Sequence, residues 1–286
     1  MSQHKNIYAL IGKTLTHSFS KKYFEKKFSD LGLADHAYLN FELENIEDLK
    51  KVIADHPNLK GFNVTIPYKE SIIPFLDELS AEAKSIGAVN CVKVEGCASR
   101  NSPNDVILSG VEGASEPNSK KSTLLGGRTS AEFSVTLKGH NTDVFGFASS
   151  VKPFLEPHHN KALILGTGGS SKAVAYALKN IGVEVYFVSS TKKQENIFSY
   201  DQLNEHMFNA FKLIINTTPL GMFPNVNDCP DIPYQFIGKQ HLCYDLIYNP
   251  EATLFLQKSK EQGATTINGL SMLQLQAEKS WEIWNS

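Results

Sequence analysis

The sequence predicts an α/β protein built in two units, and three observations carry the prediction. Short apolar strand patterns alternate with helical ones along most of the chain. A glycine cluster at 166–169 separates one such strand from a helix. The length, 286 residues, is about twice that of a common single domain.

The elements follow in order. Residues 6–11 form a short apolar run ending at Gly12, and Tyr23, Phe24, Phe28 and Leu31 recur at helical spacing after Ser20. A second strand spans 36–42, and Asn45 with Asp48 marks a helix start for 46–54. A third strand, 61–66, is stopped by Pro67. Helical signals cover 68–86, and another strand covers 88–94. This alternation implies largely parallel strands.

Residues 95–134 break the rhythm. Eighteen of these forty are Ser, Gly, Asn or Pro, too little apolar surface for a packed core, so the segment reads as a loop-like insertion. Regular patterns resume with a strand at 135–138, a helix at 142–155 and a strand at 161–165. After the glycines come a helix at 170–181, strands at 183–188, 212–215 and 242–246, and a helix at 251–262. A final amphipathic helix, 270–284, aligns Leu273, Ala277 and Trp281.

Composition narrows the function. Twenty-eight basic residues against 30 acidic ones give a net charge of −2, with no excess for a polyanion such as nucleic acid. No apolar stretch approaches the roughly 18 residues of a membrane span. The N-terminal residues lack a signal-peptide pattern. Four cysteines, at 91, 97, 229 and 243, have neither CxxC nor zinc spacing, so they read as reduced thiols in a cytoplasmic protein that binds no metal.

The glycine cluster Gly166-Thr167-Gly168-Gly169 with Ser170 follows a strand and opens a helix. Glycines let the backbone approach a pyrophosphate, and the helix N-terminus favours its charge. The third position of the fingerprint is Ser171 instead of Gly or Ala. About 20 residues on, an NAD site carries a carboxylate. Here Ser189, Ser190, Thr191, Lys192 and Lys193 stand there, hydroxyls and cations that suit the extra phosphate of NADP. In the first unit, polar clusters at 17–20, 63–69 and 87–90 adjoin strand ends, where ligands of parallel sheets collect.

Taken together these motifs resemble the shikimate dehydrogenase family. The resemblance rests on His-Ser-x-Ser (17–20), Asn-Val-Thr-x-Pro-x-Lys (63–69), Gly-Ala-Val-Asn (87–90) and Gly-His-Asn-Thr-Asp (139–143). It continues through Gly-Thr-Gly-Gly (166–169), Ile-Asn-Thr-Thr-Pro-Leu-Gly-Met (215–222), Tyr-Asp-Leu-Ile-Tyr-Asn-Pro (244–250) and Asn-Gly-Leu-Ser-Met-Leu-x-x-Gln (268–276). It implies two α/β domains around a cleft, the second a Rossmann-like NADP-binding domain at 142–269. The substrate domain would comprise 1–141 and 270–286.

The implied activity is reversible, NADPH-dependent reduction of 3-dehydroshikimate to shikimate, on the route to chorismate and the aromatic amino acids. Lys69 and Asp143 would be the catalytic pair. Ser18 and Ser20, helped by Tyr248, would take the substrate carboxylate, and Thr65, Asn90 and Gln276 its ring hydroxyls. Thr217 and Thr218 would lie near the dinucleotide, with Leu246 and Gly269 against the nicotinamide. The family often has Asn-Arg-Thr where this chain has Ser189-Ser190-Thr191, so Lys192 and Lys193 would meet the phosphate as point charges. Two alternatives stay open: a quinate/shikimate dehydrogenase using NAD, and a non-catalytic ligand-sensing relative. A monomer or a homodimer is expected.

Overall fold

The computed structural model describes residues 6–15, 19–96, 135–191 and 196–286. The first unit opens with β1 (Asn6–Gly12), α1 (Phe19–Asp30), β2 (His36–Glu42), α2 (Leu49–Asp55) and β3 (Leu59–Val64). α3 (Tyr68–Ser71), the two-residue β4 (Glu78–Leu79), α4 (Ala81–Ile86), β5 (Cys91–Gly96) and β6 (Val135–His140) complete its sheet. Next come α5 (Asp143–Val151), β7 (Lys161–Leu165), α6 (Gly169–Asn180), β8 (Glu184–Val188), β9 (Ile197–Phe198) and α7 (Glu205–Ala210). β10 (Leu213–Asn216), β11 (Leu242–Asp245), α8 (Leu254–Glu261), β12 (Thr265–Ile267) and α9 (Leu270–Trp284) close the chain.

Two six-stranded sheets result. The second runs β12-β11-β10-β7-β8-β9, every pair parallel. Its central strands are unbroken apolar runs because helices cover both faces, and β10 and β11 are buried throughout. Strand order reverses between β7 and β10, so the crevice beyond their carboxyl ends is the expected ligand position.

The first sheet runs β2-β1-β3-β5-β6-β4. It departs from the expected parallel layer, because β5 is antiparallel to both β3 and β6. That reversal has a consequence for the site. The residue entering β5, Asn90, lies at the same sheet edge as the loops leaving β3 and β6, with Val64 N donating to Asn90 O at 2.9 Å and Asn90 N to His140 O at 3.1 Å.

Several predicted boundaries move for local reasons. The strand expected at 61–66 ends at Val64, and Thr65 and Ile66 turn into a cis Ile66–Pro67 bond. The helix signal at 68–86 is broken at Pro74, where a 3-10 turn and β4 intervene. Pro153 likewise ends the 142–155 helix in a 3-10 turn. Glu95 and Gly96 pair with Thr136 and Val135, so they belong to β5 and not to the insertion. Residues 97–134 lie outside the described residues.

The last helix returns to the first sheet, with a buried face different from the one its apolar period suggests. Met272, Gln276, Ala277, Ser280 and Trp284 are buried, while Leu273 and Trp281 are only partly so. The Trp284 indole lies on Gly61, where an added Cβ would come within 2.3 Å of the ring. Its N–H donates to Val92 O at 3.0 Å. α9 thus joins Tyr8, Phe24 and Phe28 in one core. Burial pushes the Cys91 and Cys243 thiols up to about 12.

Candidate active site

Lys69 sits in the one-turn helix after β3, and Asp143 opens α5 directly after β6. The two loops meet at the sheet edge, and Lys69 Nζ lies 2.5 Å from Asp143 Oδ2. Only 14% of the lysine side chain and 8% of the aspartate side chain is exposed, so water screens the pair weakly. The first turn of α5 also places the carboxylate where a helix dipole favours negative charge.

A buried polar network holds that pair. Asn90 Nδ2 donates to Asp143 Oδ1 at 2.9 Å, and Asn90 Oδ1 accepts from Thr142 N at 2.7 Å. Gln276, from α9, accepts from the Thr142 hydroxyl at 3.3 Å and from Asn90 Nδ2 at 3.5 Å. α9 comes this close because Gly146 lets α5 cross it: a Cβ there would lie 3.0 Å from Gln276 Cβ.

The network continues away from the pair. The Ser280 hydroxyl is 3.2 Å from that of Thr142, and Asn63 Nδ2 donates to Ser280 Oγ at 2.8 Å. Tyr38 donates to Asn63 Oδ1 at 2.9 Å, and the Ser20 hydroxyl meets the Tyr38 hydroxyl in turn. Asn63, Thr142 and Ser280 therefore belong to the polar network behind the pair, and sequence reasoning did not assign them. Asn63 and Thr142 stand inside the quoted motifs, and Ser280 follows Gln276 by four residues on the buried face of α9.

Thr65 is half-buried beside Gly12, with its N–H bonded to Ile11 O at 2.9 Å. Tyr248 reaches across from the second sheet to α1. Its ring meets Phe19 edge-on at 5.5 Å. Burial raises its phenol, opposed by the Phe19 backbone N–H at the hydroxyl. Ser18 and Lys192 lie outside the described residues.

The second sheet presents the start of α6 to the same place. Lys69 Nζ is 3.2 Å from Ser170 Oγ, and Lys172 Nζ pairs with Glu70 Oε2 at 2.6 Å. Lys69, Asp143 and the start of α6 thus meet between the two sheets.

A dinucleotide fits this loop. Gly166 has φ +107°, and a Cβ there would lie 2.8 Å from Thr217 Oγ1. Gly168, the N-cap of α6, faces open space, which leaves the helix N-terminus approachable by a phosphate. Ser171 is tolerated at the third fingerprint position because it is buried and bonds back to Gly168 O at 2.6 Å. A cavity of about 420 Å³ is lined by Gly166, Thr167, Ser190, Thr191 and Thr218, with Asp231 also in its wall. Gly269 and Leu246 are packed so closely that a Cβ at Gly269 would fall 1.9 Å from Leu246 O. Among the described residues no helix is long and apolar enough to cross a membrane, and no cluster of His, Cys, Asp and Glu is arranged to hold a metal.

Comparison with known proteins identifies the family. Residues 10–92 match the family model of the shikimate dehydrogenase substrate binding domain. The chain is 37% identical to the shikimate dehydrogenase (NADP(+)) of Methanococcus aeolicus, over 96% of its own length and 90% of that protein. The crystal structure of shikimate dehydrogenase from Aquifex aeolicus superposes with a TM-score of 0.75 at 31% identity, covering 100% of this chain and 94% of that one. The Thermus thermophilus enzyme, solved with NADP(H) and shikimate, gives 0.73 at 27% identity, covering 98% and 93%.

Proposed function

Because the chain belongs to the shikimate dehydrogenase family, we propose that it catalyses the reversible, NADPH-dependent reduction of 3-dehydroshikimate to shikimate. The observation that carries the reading is the buried Lys69–Asp143 pair, 2.5 Å apart and facing the first turn of α6. When bound, the dinucleotide supplies the hydride. Hydride would add to the carbonyl carbon, the carbonyl oxygen would take up the negative charge, and an ammonium fixed beside that oxygen stabilises the charge and donates a proton. Asp143 holds Lys69 in place through one oxygen while Asn90 anchors the other.

The remaining roles follow the chemistry of each group. Ser18 and Ser20, with Tyr248, take the carboxylate, and Thr65, Asn90 and Gln276 take the ring hydroxyls. Gly166, Thr167, Gly168, Gly169 and Ser170 cradle the pyrophosphate. Ser190, Thr191 and Lys192 meet the adenosine phosphate, and Thr217, Leu246 and Gly269 lie towards the nicotinamide. Residues 1–141 and 270–286 form the substrate domain in this reading, and 142–269 the NADP domain. We infer a monomer or homodimer in the cytoplasm.

The quinate alternative draws on one observation. Asp231 lines the same cavity as Ser190 and Thr191, and a carboxylate there weakens the preference for a phosphorylated ribose. Absorbance assays with shikimate or quinate, crossed with NADP or NAD, separate the two. The central test is Lys69→Ala, which lowers turnover by about a hundredfold or more and leaves shikimate affinity within severalfold. Near-normal turnover would remove the assignment. Measurable binding without turnover in the wild type would identify a sensor.

A further inference from the structure

Asn216 and Asp245 are register partners at the carboxyl ends of β10 and β11, and both are fully buried. The Asp245 carboxylate accepts from Thr253 Oγ1 at 2.6 Å, from Ile247 N at 3.0 Å and from Asn216 Nδ2 at 3.1 Å. Asn216 Oδ1 accepts in turn from the Thr218 N–H at 3.0 Å and the Thr218 hydroxyl at 2.6 Å. Its carbonyl takes Leu246 N at 3.0 Å. Among the described residues, no basic side chain forms an ion pair with Asp245.

These donors belong to three separate segments. One is the loop after β10, which carries Thr217 and Thr218 beneath Gly166. Another is the loop after β11, which carries Leu246 against Gly269 and Tyr248 against Phe19. The third is the start of α8, capped by Thr253. An ionised carboxylate without a cation is held in a dry interior only by its donors, so its position and theirs are fixed together. Gly269 shows how little slack the second loop has.

We propose that Asp245 is a positioning residue for the dinucleotide, its buried carboxylate setting the loops after β10 and β11 in the geometry that grips the cofactor. The inference rests on the assignment of NADP to this cleft. It concerns ground-state binding, so it separates cofactor affinity from the chemical step.

The test measures NADPH binding by nicotinamide fluorescence, with substrate absent, in the wild type, Asp245→Asn, Thr253→Val and Thr253→Ser. Asp245→Asn and Thr253→Val each raise the NADPH Kd tenfold or more. Thr253→Ser, which keeps the hydroxyl, restores it to within threefold. Should Asp245→Asn fail to fold, the Val and Ser pair decides. A Kd within twofold of the wild type in the folded variants overturns the proposal, since a merely structural role would lower only the unfolding midpoint. A wild type that does not bind NADPH removes this inference together with the cofactor assignment.

Discussion

Replacing Gly146 by alanine tests how the final helix positions its glutamine. The added Cβ would sit 2.6 Å from Met272 O, 3.0 Å from Gln276 Cβ and 3.1 Å from Gln276 N. Ordinary contact begins near 3.4 Å, so α9 must retreat from α5 by about 0.8 Å, and the nearest obstacle is backbone that cannot rotate aside. Alanine gains about 0.8–1.0 kcal/mol of helix propensity, set against about 1–3 kcal/mol of overpacking. Stability therefore ranges from unchanged to about 2 kcal/mol lower. The site is more sensitive. Gln276 accepts from Thr142 at 3.3 Å and from Asn90 at 3.5 Å, and such a retreat carries it out of reach of both. Losing one neutral hydrogen bond to a substrate hydroxyl costs about 0.5–1.5 kcal/mol, so the shikimate KM rises by up to about tenfold. Initial rates with shikimate varied at saturating NADP, beside urea unfolding, measure both effects. A variant more stable than the wild type with an unchanged shikimate KM would refute the reasoning.

Two further outcomes follow from burial. Trp284→Ala removes the indole from Gly61 and from the core shared with Tyr8 and Phe24, at a cost of about 3–5 kcal/mol in urea unfolding; a loss under about 1 kcal/mol would show that α9 is not anchored there. Burial raises the Asp245 carboxyl from 3.8 to about 6. Between about pH 4 and pH 6 the native state thus holds a proton that the unfolded chain has released, and the stability this contributes is lost as pH rises through about 6, where the carboxylate ionises. Asp245→Asn does not titrate, so its stability relative to the wild type improves by about 2 kcal/mol between pH 4 and pH 7. A pH-independent difference would contradict that sign.

The second sheet was legible because each of its long strands is a short apolar block and the glycines mark the one turn that must open a helix. The direction of β5 was not. Its residues carry the same apolar pattern whether the strand runs parallel or antiparallel, and only the register with β3 and β6 decides. Strands as short as β4, β9 and β12 hold too few residues to show a period. The face of α9 was misjudged for a different reason. Apolar periodicity treats Gln276 and Ser280 as outward residues, yet both are buried because Thr142, Asn90 and Asn63 satisfy them. The site was partly legible through its motifs, but the contact between Lys69 and Asp143 joins residues 74 positions apart. Spacing along the chain carries no information about that meeting. Asp245 and Asn216 stand inside the quoted motifs but received no role, because a polar residue closing an apolar strand looks like an ordinary strand end.

The return of α9 also sets an order of events during synthesis. Tyr8, Phe24 and Phe28 leave the ribosome early, but Ala277 and Trp284, which close the core around them, follow only after the whole of the second sheet has been made. The second unit therefore has all of its strands while the first still exposes aromatic surface. Domains generally fold as units with the N-terminal one first, and here one face of the first sheet has to wait for the last helix. The nascent first sheet is the stage at which the chain is most open to capture by chaperones or by another unfinished copy.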